Sequence, residues 1–458
     1  MISGGWGQDW NCRWYKGYEK RLVVTCDIAF VTHIGVRHMF LSLVLSARIS
    51  LIPFCGVSHY SYIFYDLSPG MNPIPFNRTH PIISINHLPI EILAHIFLLC
   101  ILHGWPAAFC EYYDQHPQPN RDLAPLSVSQ VCRHWREIAL SVPSLWCSLA
   151  GPQGAVAALH PEFTQAWLAR SRNLPLSLHL APPFTSDPGN ARTSKIFDIF
   201  SNEMHRWRTI SLVLNENLAH QFIATADARA KNLEELESYF VGYATHLSAD
   251  ISSVLRFFSK LRKLSWRGRN VYSTSLENVP FHQLTHIHMS LIAPASDVIA
   301  CLTKCTNAVE IYWNGVRGPD FSYVHGIPQI PLLQLQLLKL QGSGSLVRLL
   351  WKLTLPSLKF LHIQSSSATR DHRLLEDFFN RSSCPLQQFI FQDNLSLQSA
   401  VKFLTIPFLG SIPDIEVHSR SSVSLEVFQE LKDSYTPTLD RLKFAYPHGE
   451  ISPVFMWQ

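Results

Sequence analysis

The sequence has little charge. Asp, Glu, Lys and Arg make up 16% of its 458 residues, against roughly 25% in an ordinary soluble domain, while apolar residues reach 47%. A chain this apolar can bury a large core, which excludes a disordered protein. It also lacks an excess of either sign, because 38 basic and 34 acidic side chains leave a formal charge of +4. Nucleic acid and other anionic polymers are therefore not expected as ligands, since their binders carry a concentrated basic footprint. Cysteine is sparse as well: ten residues, unevenly spread, are too few for a disulfide scaffold. They are expected to be reduced, mostly buried thiols of a cytoplasmic or nuclear protein. The opening Met1-Ile2-Ser3-Gly4-Gly5-Trp6 has no basic, then apolar, then small-residue signal pattern, so secretion is not expected.

Long hydrophobic runs are missing. Residues Leu22 to Tyr65 are apolar and aromatic, but Asp27, His33, Arg37, His38, Arg48, Pro53 and His59 interrupt them. Crossing hydrocarbon needs about 18 to 20 uninterrupted residues, so no membrane span is expected. The segment ends in a linker, Ser68-Pro69-Gly70-Met71-Asn72-Pro73-Ile74-Pro75. One reading takes Met71 as the true start and the residues before it as a gene-model artefact; residues 1–80 are assigned no role. Local catalytic signatures are missing too, with no phosphate-cradling Gly/Lys loop, no Gly-x-Ser-x-Gly turn and no His-Glu-x-x-His helix. No enzyme, cofactor or metal site is expected. Cys301 and Cys305 with His286 and His288 have metal-ligand residue types, but zinc cysteines usually stand closer in sequence, and a pair four apart in an apolar helix reads as core thiols.

What is present begins after the linker. Leu88-Pro89-Ile90-Glu91-Ile92-Leu93-Ala94-His95-Ile96-Phe97 has Pro89 suited to the first helical position and Glu91 in the first turn, where the helix dipole favours an anion. Ile92, Leu93, Ile96 and Phe97 form one apolar stripe. Ser127-Val128-Ser129-Gln130 reads as a capping box opening a second helix, with Val128, Val131, Trp135 and Ile138 along one face. Pro143-Ser144-Leu145-Trp146 opens a third, short helical turn that ends in Cys147-Ser148-Leu149. Between the first two helices, residues 103–123 read as a surface loop. Fewer than about fifty ordered residues make a marginal unit, which is expected to bury an apolar face on a partner or a neighbouring domain.

The strings Leu-Pro-x-Glu-Ile-Leu-x-x-Ile-Phe, then Val131-Cys132-Arg133-x-Trp135-Arg136-x-Ile138-Ala139, then Pro143-Ser144-Leu145-Trp146 resemble an F-box of the type common in fungal F-box-like proteins. Ala166-Trp167-Leu168-Ala169-Arg170-Ser171 and Pro175-Leu176-Ser177-Leu178 fit the same group. The resemblance implies docking on the Skp adaptor, and through it a cullin scaffold and a ubiquitin-conjugating enzyme. It implies that Leu88, Pro89, Ile92, Ile96, Val131, Trp135, Leu145 and Trp146 are adaptor-facing or module-core positions, without dividing them between those roles. The insertion at 103–123 departs from a compact F-box.

The rest of the chain repeats. An apolar-x-x-apolar-x-apolar pattern has its middle residue at Ile210, Leu236, Leu264, Ile287, Ile311, Leu338, Leu361, Phe389, Ile415 and Leu442, at intervals of 23 to 28 residues. Those intervals are the roughly 20–29 of leucine-rich repeats. Leu176, Leu178 and Leu180 supply an earlier, divergent strand. Helical spacing recurs between strands, at Ile251–Phe258, Val298–Leu302, Leu346–Leu350, Leu374–Phe379 and Leu425–Leu431.

The expected fold is thus α/β: a leucine-rich-repeat solenoid, a curved parallel sheet with outer helices over 151–458, preceded by a small all-α three-helix F-box module over 84–150. Strand residues that alternate with the buried ones are expected to be exposed on the concave face. Arg267, His286, His288, Tyr312, Asn314, His362 and Gln364 are its candidate target-binding residues; Ser211, Lys339 and Gln341 share the face. The expected function is that of a substrate-recognition adaptor, monomeric within a hetero-complex. It joins a target protein to the Skp and cullin ligase core and binds neither nucleic acid nor membrane. The alternative is a non-catalytic repeat scaffold whose F-box-like helices only cap the solenoid.

Overall fold

The computed structural model describes residues 85–102, 124–150, 160–181, 188–226, 229–241, 246–272, 276–318, 328–343, 346–365, 372–395, 406–419 and 441–445. Segment 1–80, the loop 103–123 and the helix expected at Leu425–Leu431 lie outside them. Two compact units divide at Cys100 and Ile101. Of the first, a 3-10 turn, Ile85–His87, and most of helix α1, Ile90–Leu102, are described. No described helix is long and apolar enough to cross a membrane.

The second unit opens with helices α2, Ala124–Ser129, and α3, Arg133–Ser141, and a 3-10 turn, Pro143–Trp146. Here the structure departs from the single helix expected to start at Ser127. Ser127 lies inside α2, the chain turns at Gln130 and Val131, and α3 has its own cap. Cys132 is extended there, and its Sγ accepts from the Trp135 amide at 3.4 Å. The stripe drawn through Val128, Val131, Trp135 and Ile138 is therefore broken: Val128 and Ile138 are buried while Val131 is exposed.

Twelve strands then form one sheet in which every neighbouring pair is parallel. They are β1 Ser148–Ala150, β2 Leu176–Leu180, β3 Trp207–Leu214, β4 Glu235–Phe240, β5 Lys263–Tyr272, β6 His286–Pro294, β7 Glu310–Arg317, β9 Leu337–Ser343, β11 Phe360–Ser365, β12 Gln388–Leu395, β13 Asp414–Ser419 and β14 Arg441–Ala445. A separate short pair joins β8, Ile330–Pro331, to β10, Leu353–Thr354. The register puts all ten anchor residues in one row, from Ile210 beside Leu236 to Ile415 beside Leu442, and extends it backwards through Leu178 to Leu149. Strand periodicity of two then places every residue two further along on the same face. Leu212, Trp266, Met289, Trp313, Leu340, Ile363 and Phe391 fill that second buried row. Ser148–Ala150, expected as the tail of a helical turn, is the first strand of the sheet.

Helices return the chain between strands: α4 Pro161–Arg170, α5 Pro188–Asn202, α6 Glu216–Thr225, α7 Ser248–Val254, α8 Ala295–Leu302, α9 Val347–Leu350 and α10 His372–Ser382. Not every crossover shows an α-helix among its described residues. A 3-10 turn, Phe281–Gln283, precedes β6, and β8 lies between β7 and β9. The core holds an aromatic ladder one crossover apart, Phe197 to Phe222 at 6.3 Å and Phe222 to Phe258 at 6.4 Å between ring centroids. Arg206 is buried at the entry to β3, donating to the Leu174 carbonyl at 3.0 Å and pairing with Glu203 at 3.0 Å.

Candidate functional site

On the sheet face opposite the anchor rows, the strands present polar side chains in three files. One file runs Ser211, Glu237, Ser265, His288, Tyr312, Lys339, His362; the next runs Tyr239, Arg267, Ser290, Asn314, Gln341, Gln364. A third holds Glu235, Lys263, His286 and Glu310. All seven predicted target-binding residues lie on this face, because each sits an odd number of positions from its anchor.

Within the files a continuous network crosses six strands, β3 to β7 and β9. The Ser211 hydroxyl donates to Glu237 Oε2 at 2.9 Å, and Glu237 Oε1 stands 3.2 Å from Arg267 Nη2. Arg267 Nε donates to Ser265 Oγ at 3.0 Å, and Nη2 lies 3.3 Å from His288 Nδ1. A guanidinium only donates, so Nδ1 accepts and the His288 proton sits on Nε2. The His288 ring meets Tyr312 edge to face at 4.1 Å. Tyr312 donates to Gln341 Oε1 at 3.2 Å, and Lys339 Nζ stands 5.0 Å from the Tyr312 ring centroid, a cation–π distance.

This packing corrects one expectation. His288 and His362, read as solvated strand residues, are only 8% and 6% exposed. Neighbouring strands lie about 4.8 Å apart, so Arg267 and Tyr312 close over His288 while Lys339 and Ile390 flank His362 in register. Burial, then the Arg267 charge, lowers the His288 pKa to about 3. Burial likewise pushes the Tyr312 phenol up and the Lys339 ammonium down. Arg267, His286, Tyr312, Asn314 and Gln364 stay partly accessible. Asn314 Nδ2 reaches Ser290 Oγ at 3.5 Å, and His286 Nε2 stands 3.8 Å from Glu310. Of the seven predicted residues, Arg267, His288 and Tyr312 take part in these contacts; Glu237, which anchors the acidic end, is not among the seven. Its register opposite Ser211 and Ser265 was the available signal.

The face offers groups suited to recognition. Its imidazole at His288 is held neutral and hydrogen-bonded, and the accessible groups include a guanidinium, a phenol, amides, the His286 imidazole and the paired charges of Glu235 and Lys263, which suit contact with a protein surface. Cys301 and Cys305 belong elsewhere, buried in and just beyond α8, where burial pushes the Cys301 thiol up to about 12 and Cys305 in the same direction.

The predicted adaptor residues divide by burial. In the first unit, Pro89 and Ile92 are exposed and Leu88 and Ile96 half-buried, while Leu93 and Phe97 are buried. In the second, Val131 is exposed and Trp135 half-buried. Leu145 and Trp146 are buried, with Trp146 Nε1 donating to the Ala139 carbonyl at 2.8 Å and its ring 4.7 Å from Trp167. Ile90, not among the predicted eight, is also exposed. No protein-family model matches the chain, and a search of curated proteins finds no match.

Proposed function

We propose that this protein is a substrate-recognition adaptor of a Skp/cullin ubiquitin ligase, working in the cytoplasm or nucleus. Its helices up to Trp146 act as an F-box-like docking element, and its parallel sheet acts as a leucine-rich-repeat-like solenoid that captures a target protein. The observation that carries the reading is where large apolar side chains remain in water. Of the seven large apolar side chains exposed among the described residues, Ile90, Ile92 and Val131 lie within the strings that resemble an F-box and Leu140 directly follows one of them, at 53%, 40%, 45% and 44% exposure; Leu174, Phe257 and Leu333 lie elsewhere. Uncovered aliphatic groups on short helices are what a partner's surface removes from water. The adaptor supplies no catalytic group in this scheme. It raises the local concentration of target lysines near the charged ubiquitin carrier.

Co-purification of the full chain with the Skp adaptor tests the reading. Replacing Ile92 and Val131 together by Asp places two charges at exposed positions, so the melting temperature should stay within a few degrees while adaptor affinity falls at least about tenfold. Unchanged affinity would sink the proposed interface. A second reading, in which the helices only cap the sheet, draws support from the last turn: Leu145 and Trp146 are buried, and Trp167 Nε1 donates to the carbonyl of Ser148 in β1 at 3.1 Å. That reading expects no adaptor binding at all.

A further inference from the structure

Helix α6 and the turn one crossover later bring three metal-ligand side chains together. Glu216 and His220 are four residues apart in α6, so both project from one helix face. His246 lies 26 positions after His220, immediately ahead of α7. One ligand atom from each of Glu216, His220 and His246 lies within 4.8 Å of the others, and all three side chains are exposed.

The backbone that carries them is held on its inner side. Asn215 caps α6, its Oδ1 accepting from the Leu218 amide at 2.9 Å, and Leu218, Ala219 and Phe222 are buried beneath the helix. Behind His246, Leu247 and Ser248 are buried. Tetrahedral zinc, with bonds of about 2.0 to 2.2 Å to nitrogen and oxygen, needs donors roughly 3.4 Å apart. Rotation of exposed side chains closes the remaining distance without moving the packed backbone.

We propose that Glu216, His220 and His246 form a site for one divalent transition-metal ion of the zinc type. Two imidazoles favour zinc, copper or nickel over magnesium or calcium, which take oxygen ligands. Three protein ligands leave a fourth position for water or for a donor from a partner. The ion would clip two successive crossovers of the sheet together. This proposal is independent of the ligase reading, since it concerns neither the docking helices nor the polar sheet face.

Cobalt titration of the full, chelator-treated chain tests it. One equivalent of Co²⁺ should give the visible bands of a nitrogen and oxygen tetrahedral site, without the near-ultraviolet charge transfer of thiolate ligation. One equivalent of Zn²⁺ should displace it, Mg²⁺ should not, and Zn²⁺ should raise the melting temperature. His220→Ala and His246→Ala should each weaken binding at least about tenfold, the scale that loss of a mere outer-shell partner reaches, and the double variant should abolish both binding and the thermal shift. All three positions are exposed, so the metal-free variants should melt with the wild type. Glu216→Gln gives a further variant in which a folded chain reports on the same site. Thiolate charge transfer, binding that survives the double variant, or no Co²⁺ binding by the wild type would each overturn the site.

Discussion

At the scale of single residues, His288 carries the most informative environment. Its pKa is about 3 in the fold, lowered first by burial and then by Arg267, against roughly 6.5 in an unfolded chain. Between those values the unfolded state holds a proton that the folded state does not. Stability contributed by the neutral ring is therefore complete above pH 6.5 and is lost as pH falls towards 3, at up to about 1.4 kcal/mol per pH unit. Urea unfolding at pH 7.5 and pH 5 should show a loss in the wild type larger by up to about 2 kcal/mol than in His288→Gln, which keeps an acceptor for Arg267 but does not titrate. Equal losses in the two proteins would remove His288 from the account. Its identity as a polar residue on the open face was readable from period-two alternation. Its burial was not, because that depends on Arg267 and Tyr312, which come from other strands.

At the scale of elements, the strands are the most legible part and the connections the least. Leucine and isoleucine two apart mark β9 and β11 without ambiguity, and even the weaker strings ending at Ser238 and Trp313 form strands in register with their neighbours. The capping-box pattern at Ser127 is satisfied in sequence, yet the helix break is made by Cys132 and the turn before it. The register of β7 against β9 shifts between Asn314 and Val316, a bulge that leaves no periodic trace in the sequence. Gly315 has φ of +99°, and a Cβ there would stand 2.3 Å from the Leu291 carbonyl oxygen in β6. Gly315→Ala is strained in conformation and in space, so it should cost at least about 2 kcal/mol by denaturant titration. A change below about 0.5 kcal/mol would mean that the β6 and β7 backbones do not approach this closely.

At the scale of the whole molecule, the anchor row is one line through twelve strands, so each anchor from Ile210 to Ile415 is buried between two neighbours. Leu338 sits between Ile311 and Leu361 with no exposed surface. Leu338→Ala should lower stability by about 2 to 5 kcal/mol, the range for leucine truncation in a packed core, read as the shift in guanidinium midpoint at unchanged slope. Since stacked units are stabilised chiefly by their nearest neighbours, a lower slope would show the sheet parting at this point into two cooperative blocks. The scarcity of charge also finds its place at this scale. Two apolar rows per strand, covered by helices such as α6 and α8, absorb leucine and isoleucine that would otherwise face water.

Local periodicity along one strand is enough to place β2 and the ten anchored strands, the 23–28 residue repeat, the row of anchors and the face on which each alternating residue lies, whereas β1, β8 and β10 carry no such mark. Pro89, Ile92 and Val131 stand in the strings that resemble an F-box. Which of those stay in water, which polar residues their neighbours cover and which distant groups meet depend on tertiary packing. Glu237 reaches Arg267, and Glu216 and His220 reach His246, across 26 to 30 residues of chain. Such meetings depend on the side chains of adjacent parallel strands and crossovers, about 5 Å apart in space and a full repeat apart in sequence, and no pattern within one repeat encodes them.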